Sequence, residues 1–196
     1  MGILSAKFTM IGHGPIVFGK PVHEAKRDNE KDDQLAERIW KEKTHVDEDG
    51  HLCIPATAVH RSLITASKWL SEKLEGKKTY TRRFESGVIC HQQMFKITRN
   101  GKPLTMDNVE RFNLYAPTNG ERGGPKRVWK AFPRVMPKWE IEVNLLITDE
   151  AITEAVFAKH ARCAGLHDGI GSMRIGKAGP NGMWELSNLE LSEYTL

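Results

Sequence analysis

The sequence predicts an α+β domain in which helices pack on one face of an antiparallel sheet. Two segments carry this reading. Val59, Leu63, Ala66, Leu70 and Leu74 recur at steps of three and four, the apolar stripe of a helix over about 58–74, with Trp69 widening the stripe. Trp139, Ile141, Val143 and Leu145 alternate through WEIEVNLLI, the period of a strand with one buried face.

The remaining elements follow in order. Residues 3–18 read as a first strand: Leu4, Ala6, Phe8 and Met10 alternate with more polar residues, and Gly12, Gly14 and Pro15 end the run. Residues 24–49 are strongly charged; Leu35, Ile39 and Trp40 anchor a short helix there, and the rest reads as exposed loop. Asp49-Gly50 marks a turn, His51–Ile54 a short strand stopped by Pro55, and Thr57 stands where a helix N-cap is expected. Val88–Ile97 reads as a strand and Arg99-Asn100-Gly101-Lys102 as a hairpin turn. Pro117–Gly120 and Gly123-Gly124-Pro125 mark a mobile loop. After the 139–147 strand, Thr148 or Asp149 caps a second helix that carries Ile152, Ala155, Val156 and Ala158, runs to about Ala164 and stops at Gly165. A glycine-rich loop to Gly182 leads into a last strand, Met183–Leu191. Two β-α-β units around an antiparallel sheet suggest a ferredoxin-like or RRM-like core. We read 1–196 as a single domain, with 77–138 inserted as a basic hairpin.

Charge is modest in total and uneven in distribution. The net charge is +4 over 196 residues, but Lys77–Lys138 holds 14 Lys and Arg against 4 Asp and Glu, a net +10 that leaves −6 for the rest. Such asymmetry points to a basic surface that meets a polyanion. Cations and aromatics interleave there as Tyr80, Arg82, Arg83 and Phe84, then Lys126, Arg127, Trp129, Lys130 and Phe132. That mix suits single strands, because cations hold phosphates while rings stack on splayed bases. The other reading of Trp129 and Phe132 is that they pack beneath the hairpin. Three cysteines without a CxxC pair fit a reducing, cytoplasmic setting. No apolar run reaches the roughly 20 residues of a membrane span, and Met1–Met10 lacks the pattern of a signal peptide, so no membrane partner is expected.

The glycine-rich loop contains GSMRIGKA, Gly171–Ala178, close to a phosphate-loop motif. Ala178 stands where a magnesium-binding hydroxyl is needed, and the loop follows a helix where a P-loop follows a strand, so a nucleotide site is rejected. Glycine backbones that approach an anion, with Arg174 and Lys177 supplying charge, are the better reading. The groups His160, Cys163, His167 and His45, His51, Cys53 form no zinc pattern, and no nucleophile motif is present, so neither cofactor nor metal is expected. Asp28, Asp32 and Asp33 lie in the charged loop and could act as a base or metal ligand, with Asp32 and Asp33 the nearest candidates; a solvated acidic loop is the simpler reading.

Two segments resemble a known family. Cys53–Ser67 (CIPATAVHRSLITAS) is similar to the short strand, Ile-Pro-Gly-Ser-Ser and basic helix of the RAMP superfamily, RNA-binding proteins that form the backbone of CRISPR effector complexes. Gly165–Leu186 (GLHDGIGSMRIGKAGPNGMWEL) resembles that superfamily's glycine-rich loop. Ala56 replaces the family's glycine after proline, and His60-Arg61 its Lys-Gly. The resemblance implies an RRM-like core, assembly in repeated copies or with related subunits along a guide RNA, and a thumb formed by the basic insertion. It further implies that Thr57, His60 and Arg61 at a helix N-terminus, with Gly169, Gly171, Arg174 and Lys177, hold backbone phosphate. Three functions compete: a non-enzymatic guide-RNA-binding subunit, a stand-alone and possibly viral single-strand DNA or RNA binder, and a metal-dependent nuclease using the 28–33 loop.

Overall fold

The computed structural model describes residues 2–117 and 127–195. Strand β1 (Leu4–Gly12) is central to the main sheet, and the short β2 (Ile16–Val17) leaves that sheet. Helix α1 (Asp32–Ile39) lies in the charged segment. Then come β3 (Cys53–Pro55), α2 (Ala56–Leu70), a small hairpin of β4 (Lys73–Glu75) and β5 (Lys78–Thr79), and α3 (Thr81–Gly87). Strands β6 (Val88–Ile89), β7 (Met94–Lys96), β8 (Thr98–Arg99) and β9 (Lys102–Pro103) are short. Strands β10 (Glu110–Pro117) and β11 (Arg127–Val135) form the long hairpin. Strand β12 (Glu140–Ile147), α4 (Glu154–Cys163) and β13 (Trp184–Glu193) complete the fold.

The main sheet runs β13-β1-β12, with β6 and the β8–β9 hairpin both on the far side of β12, and its pairings are antiparallel. With β6 as the strand that follows α2, this is the strand order of a ferredoxin-like core. Register sets the buried face: Ala6, Phe8 and Met10 stand opposite Leu145, Val143 and Ile141, and all six are buried. The stripe of α2 (Val59, Leu63, Ala66) and of α4 (Phe157, Ala161) closes on that face, with Phe8 against Phe157 edge-on at 5.6 Å. Helix α3 adds Phe84, stacked on His160 at 4.4 Å. A second sheet, β10-β11-β2, holds the hairpin.

Several boundaries differ from the sequence expectation, each for a local reason. The first expected strand is two strands, because the turn at Gly12–Pro15 moves the chain from one sheet to the other. Pro55 precedes the first helical residue, so Thr57 lies inside the first turn of α2 and is not its cap. That helix stops at Leu70, where Ser71 takes a left-handed conformation (φ 46°), and Leu74 sits in β4. Trp69 does not widen the core stripe but is 63% exposed. Val88–Ile97 is broken: β6 joins the main sheet while β7 pairs with β3. The cap of α4 is Thr153, whose hydroxyl accepts from Val156 N, whereas Asp149 accepts from Ala151 N and Arg83. Gly165 does not end the helix; the chain continues through a wider turn, Ala164–Asp168, and reverses at Gly169 (φ 71°). The hairpin turn at Asn100-Gly101 does form, with both residues at positive φ as a two-residue turn requires. Residues 77–138 hold α3, β5–β9 and the hairpin Glu110–Val135. The loop expected at 118–125 lies outside the described residues.

One contact fixes the crossing between the sheets. The Trp139 indole is fully buried, its Nε1–H donates to the Gly14 carbonyl at 2.8 Å, and Gly12 N donates to the Trp139 carbonyl at 2.7 Å. A Cβ on Gly12 would lie 2.0 Å from the ring. Gly12→Ala is therefore expected to destabilise the fold by about 1–3 kcal/mol, the usual cost of overpacking. Gly2, which has open space around it, should tolerate alanine. Denaturant midpoints of the two variants check this, and equal midpoints would refute it.

Candidate nucleic-acid interface

The start of α2, the β2 segment and the glycine-rich loop enclose a cleft of about 210 Å³ lined by Pro55, Thr57, Arg61, Gly171, Ser172 and Arg174, among others. The N-terminus of a fifteen-residue helix gives this cleft a positive partial charge. Arg61, one turn in, is exposed. The loop is bound to its surroundings by backbone: Ser172 N donates to Val17 O (2.7 Å), Gly182 N to Pro15 O (2.8 Å) and Ile170 N to Gly182 O (3.0 Å). Ser62 of α2 donates its hydroxyl to Gly169 O at 3.1 Å.

This packing explains the glycines. A Cβ on Gly169 would lie 2.7 Å from Gly182 O, on Gly171 2.8 Å from Val17 O, and on Gly182 1.9 Å from Ile170 O, and all three have positive φ. Gly169 is buried and does not line this cleft; of the two glycines expected along the path, Gly171 reaches it. Arg174 is not a loose cation. Its Nε donates to Asp168 Oδ2 at 3.2 Å, and Asp168 is buried with Oδ1 lacking a partner among the described residues. Lys177 is exposed at the loop's outer turn.

The other sequence candidates lie elsewhere. His60 faces α3, where its Nε2–H donates to the Phe84 carbonyl at 2.9 Å, so it braces two helices rather than facing the cleft. Arg82 and Arg83 lie beside Lys77, Lys78 and Asp149, and Arg83 pairs with Asp149 at 2.8 Å. Arg127 and Lys130 are on β11; Arg127 donates to the Tyr115 carbonyl and lies over its ring. Lys126 falls outside the described residues. Trp129 and Tyr115 form an exposed pair 5.4 Å apart, while Phe132 is half-buried beneath Lys43. Asp32 and Asp33 begin α1, which packs on β11, and Asp32 pairs with Lys26 at 2.5 Å.

The groups His160, Cys163, His167 and His45, His51, Cys53 do not come together as a cluster among the described residues, and His160 is buried and donates Nδ1–H to Val156 O. Asp47, Asp49 and His51 do converge, but the Lys96 ammonium lies 3.0 and 3.6 Å from the two carboxylates and offsets one of their two negative charges. The residue that sequence reasoning missed is Asp168. It reads as one acid in a loop, and only its burial against Arg174 gives it a role.

Burial pushes the Asp168 carboxyl up from its ordinary value, and the Arg174 guanidinium pulls it partly back. A carboxyl raised in the folded state contributes stability that is present below its unfolded pKa and is lost as pH rises through the folded pKa. Between about pH 3 and 7, the wild type should thus lose stability with rising pH relative to Asp168→Asn. Thermal melts of both proteins check this, and a pH-independent difference would overturn it.

No protein-family model matches the chain, and no curated protein sequence does. Solved structures do match. A chain in the cryo-EM structure of the Type III-B Cmr-beta bound to cognate target RNA superposes with a TM-score of 0.58 at 11% identity, over 98% of this chain and 61% of that one. This chain therefore spans less than two thirds of that neighbour. The crystal structure of Cmr6 from Pyrococcus furiosus matches with a TM-score of 0.47 at 14% identity, over 98% of both chains. Together with the strand order, the first likeness shows a fold shared with that chain, built on a ferredoxin-like core.

Proposed function

We propose that this chain binds single-stranded RNA through its backbone phosphates, as one of several copies or related subunits along a guide RNA in a CRISPR-type ribonucleoprotein. The observation that carries the proposal is the cleft in which the α2 N-terminus, Arg61, Gly171 and Arg174 meet. Amides, a helix dipole and guanidinium groups on one concave surface suit a phosphate-bearing strand. The RAMP-like fold, shared with a chain from an assembly bound to target RNA, supports the same reading. Thr57, Arg61, Gly171, Arg174 and Lys177 are the proposed phosphate contacts, and Arg82 and Arg83 on α3 and Arg127 and Lys130 on β11 are proposed as further basic positions outside the cleft. The role is proposed as binding without cleavage. Among the described residues no helix is long and apolar enough to cross a membrane.

Binding of this kind is mostly electrostatic. Affinity should fall by roughly 0.7 log units per phosphate contact for each tenfold rise in salt. Arg61→Ala and Lys177→Ala should each weaken binding to unrelated RNA sequences about equally and flatten the salt slope by about one contact. Arg174→Ala should do the same at a further cost in stability, because it strands the buried Asp168 carboxylate. Filter binding at several salt concentrations checks this; unchanged affinity and slope in all three variants would refute it. RNA of uniform length copurifying with the protein is the expected sign of a guide complex.

A further inference from the structure

The exposed face of α2 does not end at the cleft. Thr57, Arg61, Thr65 and Trp69 recur at steps of four, so they lie along one side of the helix. Thr65 donates its hydroxyl back to the Arg61 carbonyl at 2.9 Å. At the far end, about 12 Å along the axis from Arg61, the Trp69 indole stacks on the His167 imidazole, with ring centroids 4.1 Å apart and planes 21° from parallel. Although His167 covers one face of it, Trp69 is still 63% exposed, so the opposite face is open to solvent. Leu166, 55% exposed, adjoins the pair in sequence. His167 also directly precedes Asp168, the residue that holds Arg174, so one short loop positions both the cleft cation and the ring.

We infer that the Trp69–His167 stack is a platform for one unpaired nucleobase of the strand whose phosphates run along the start of α2. The inference rests on the proposed RNA-binding function. A solvent-facing indole costs free energy unless something covers it, and here its orientation is fixed in advance by the imidazole beneath it. Every base offers a π-face, so such a platform is tolerant of sequence. A base fits better than a protein partner. The exposed apolar surface is three side chains, whereas a stable protein interface takes roughly 20–30 residues a side. Charges near it in sequence are mixed and largely paired: Lys68 with Glu85 at 3.1 Å and Glu72 with Lys159 at 3.0 Å, with Arg162 exposed on α4. Arg61 and Trp69 would then divide the work, one holding backbone and the other a base.

The test compares wild type, Trp69→Ala and Trp69→Phe on a single-stranded RNA and on an abasic strand of equal length. Trp69→Ala should weaken binding to the base-bearing RNA about 5- to 150-fold. Its salt slope should stay that of wild type, since no phosphate contact is lost. Trp69→Phe should retain most of the affinity, and the abasic strand should bind wild type and Trp69→Ala alike. Equal affinity of wild type and Trp69→Ala for the base-bearing RNA overturns the platform, as does an equal loss on the abasic strand. A change in oligomeric size caused by Trp69→Ala without RNA, with affinity unchanged, would assign the patch to a protein contact instead. If Arg61→Ala and Lys177→Ala weaken binding while Trp69→Ala does not, the platform alone fails. If wild type binds no RNA, the proposed function fails and the platform with it.

Discussion

The buried indole of Trp139 holds the place where the chain passes from one sheet to the other. It lies flat on the Gly12 backbone and donates to the Gly14 carbonyl, which sets the turn that sends β1 into β2. The cleft walls formed by β2 and the glycine-rich loop hang on that turn. His13 N and Gly14 N donate to the Met183 carbonyl, Pro15 O accepts from Gly182, and Val17 O accepts from Ser172. On its other edge β2 pairs with β11, joining the base of the long hairpin to the same segment. A shift of the turn would therefore move the loop and the hairpin together.

The glycine-rich loop is consequently a braced structure rather than a slack one. Its glycines are required mainly where backbone meets backbone: Gly169 against Gly182, Gly182 against Ile170, Gly171 against Val17. The hydrogen bonds that hold the loop leave Arg174 on its outer side, steadied by a buried carboxylate. A guanidinium so placed loses less freedom when it meets an anion than one on a loose chain would. The same carboxylate lowers the net charge it presents, whereas Arg61 and Lys177 are more exposed.

Helix α2 has two working faces. Val59, Leu63 and Ala66 bury against the sheet, and Ser62 fixes the helix to the loop. The other side carries Thr57, Arg61 and Trp69. His60 sits between them and ties α2 to α3 through the Phe84 carbonyl. The aromatic pair Tyr115–Trp129 on the hairpin lies on a different element, so exposed rings and cations occur together in two places.

The sequence by itself determined the core. Alternation through β12 and the three-four stripe of α2 are local periods, visible without any partner; the expected face of β12 is buried, as are Val59, Leu63 and Ala66 of the stripe, while Leu70 is half-buried and Leu74 lies beyond the helix. The Asn100-Gly101 turn was equally legible, because only certain residues accept two positive φ values in succession. Arg61 and Arg174 were legible as cations near glycines, though not as neighbours across one cleft. Tertiary structure alone decided the rest. His60 was drawn to a helix–helix contact, Gly169 to a buried backbone crossing, and Trp69 was left outside a stripe it could have joined. These outcomes depend on which groups the fold brings within 3 to 4 Å from distant parts of the chain. A residue's type and spacing carry no record of that, whereas the period of its apolar neighbours does.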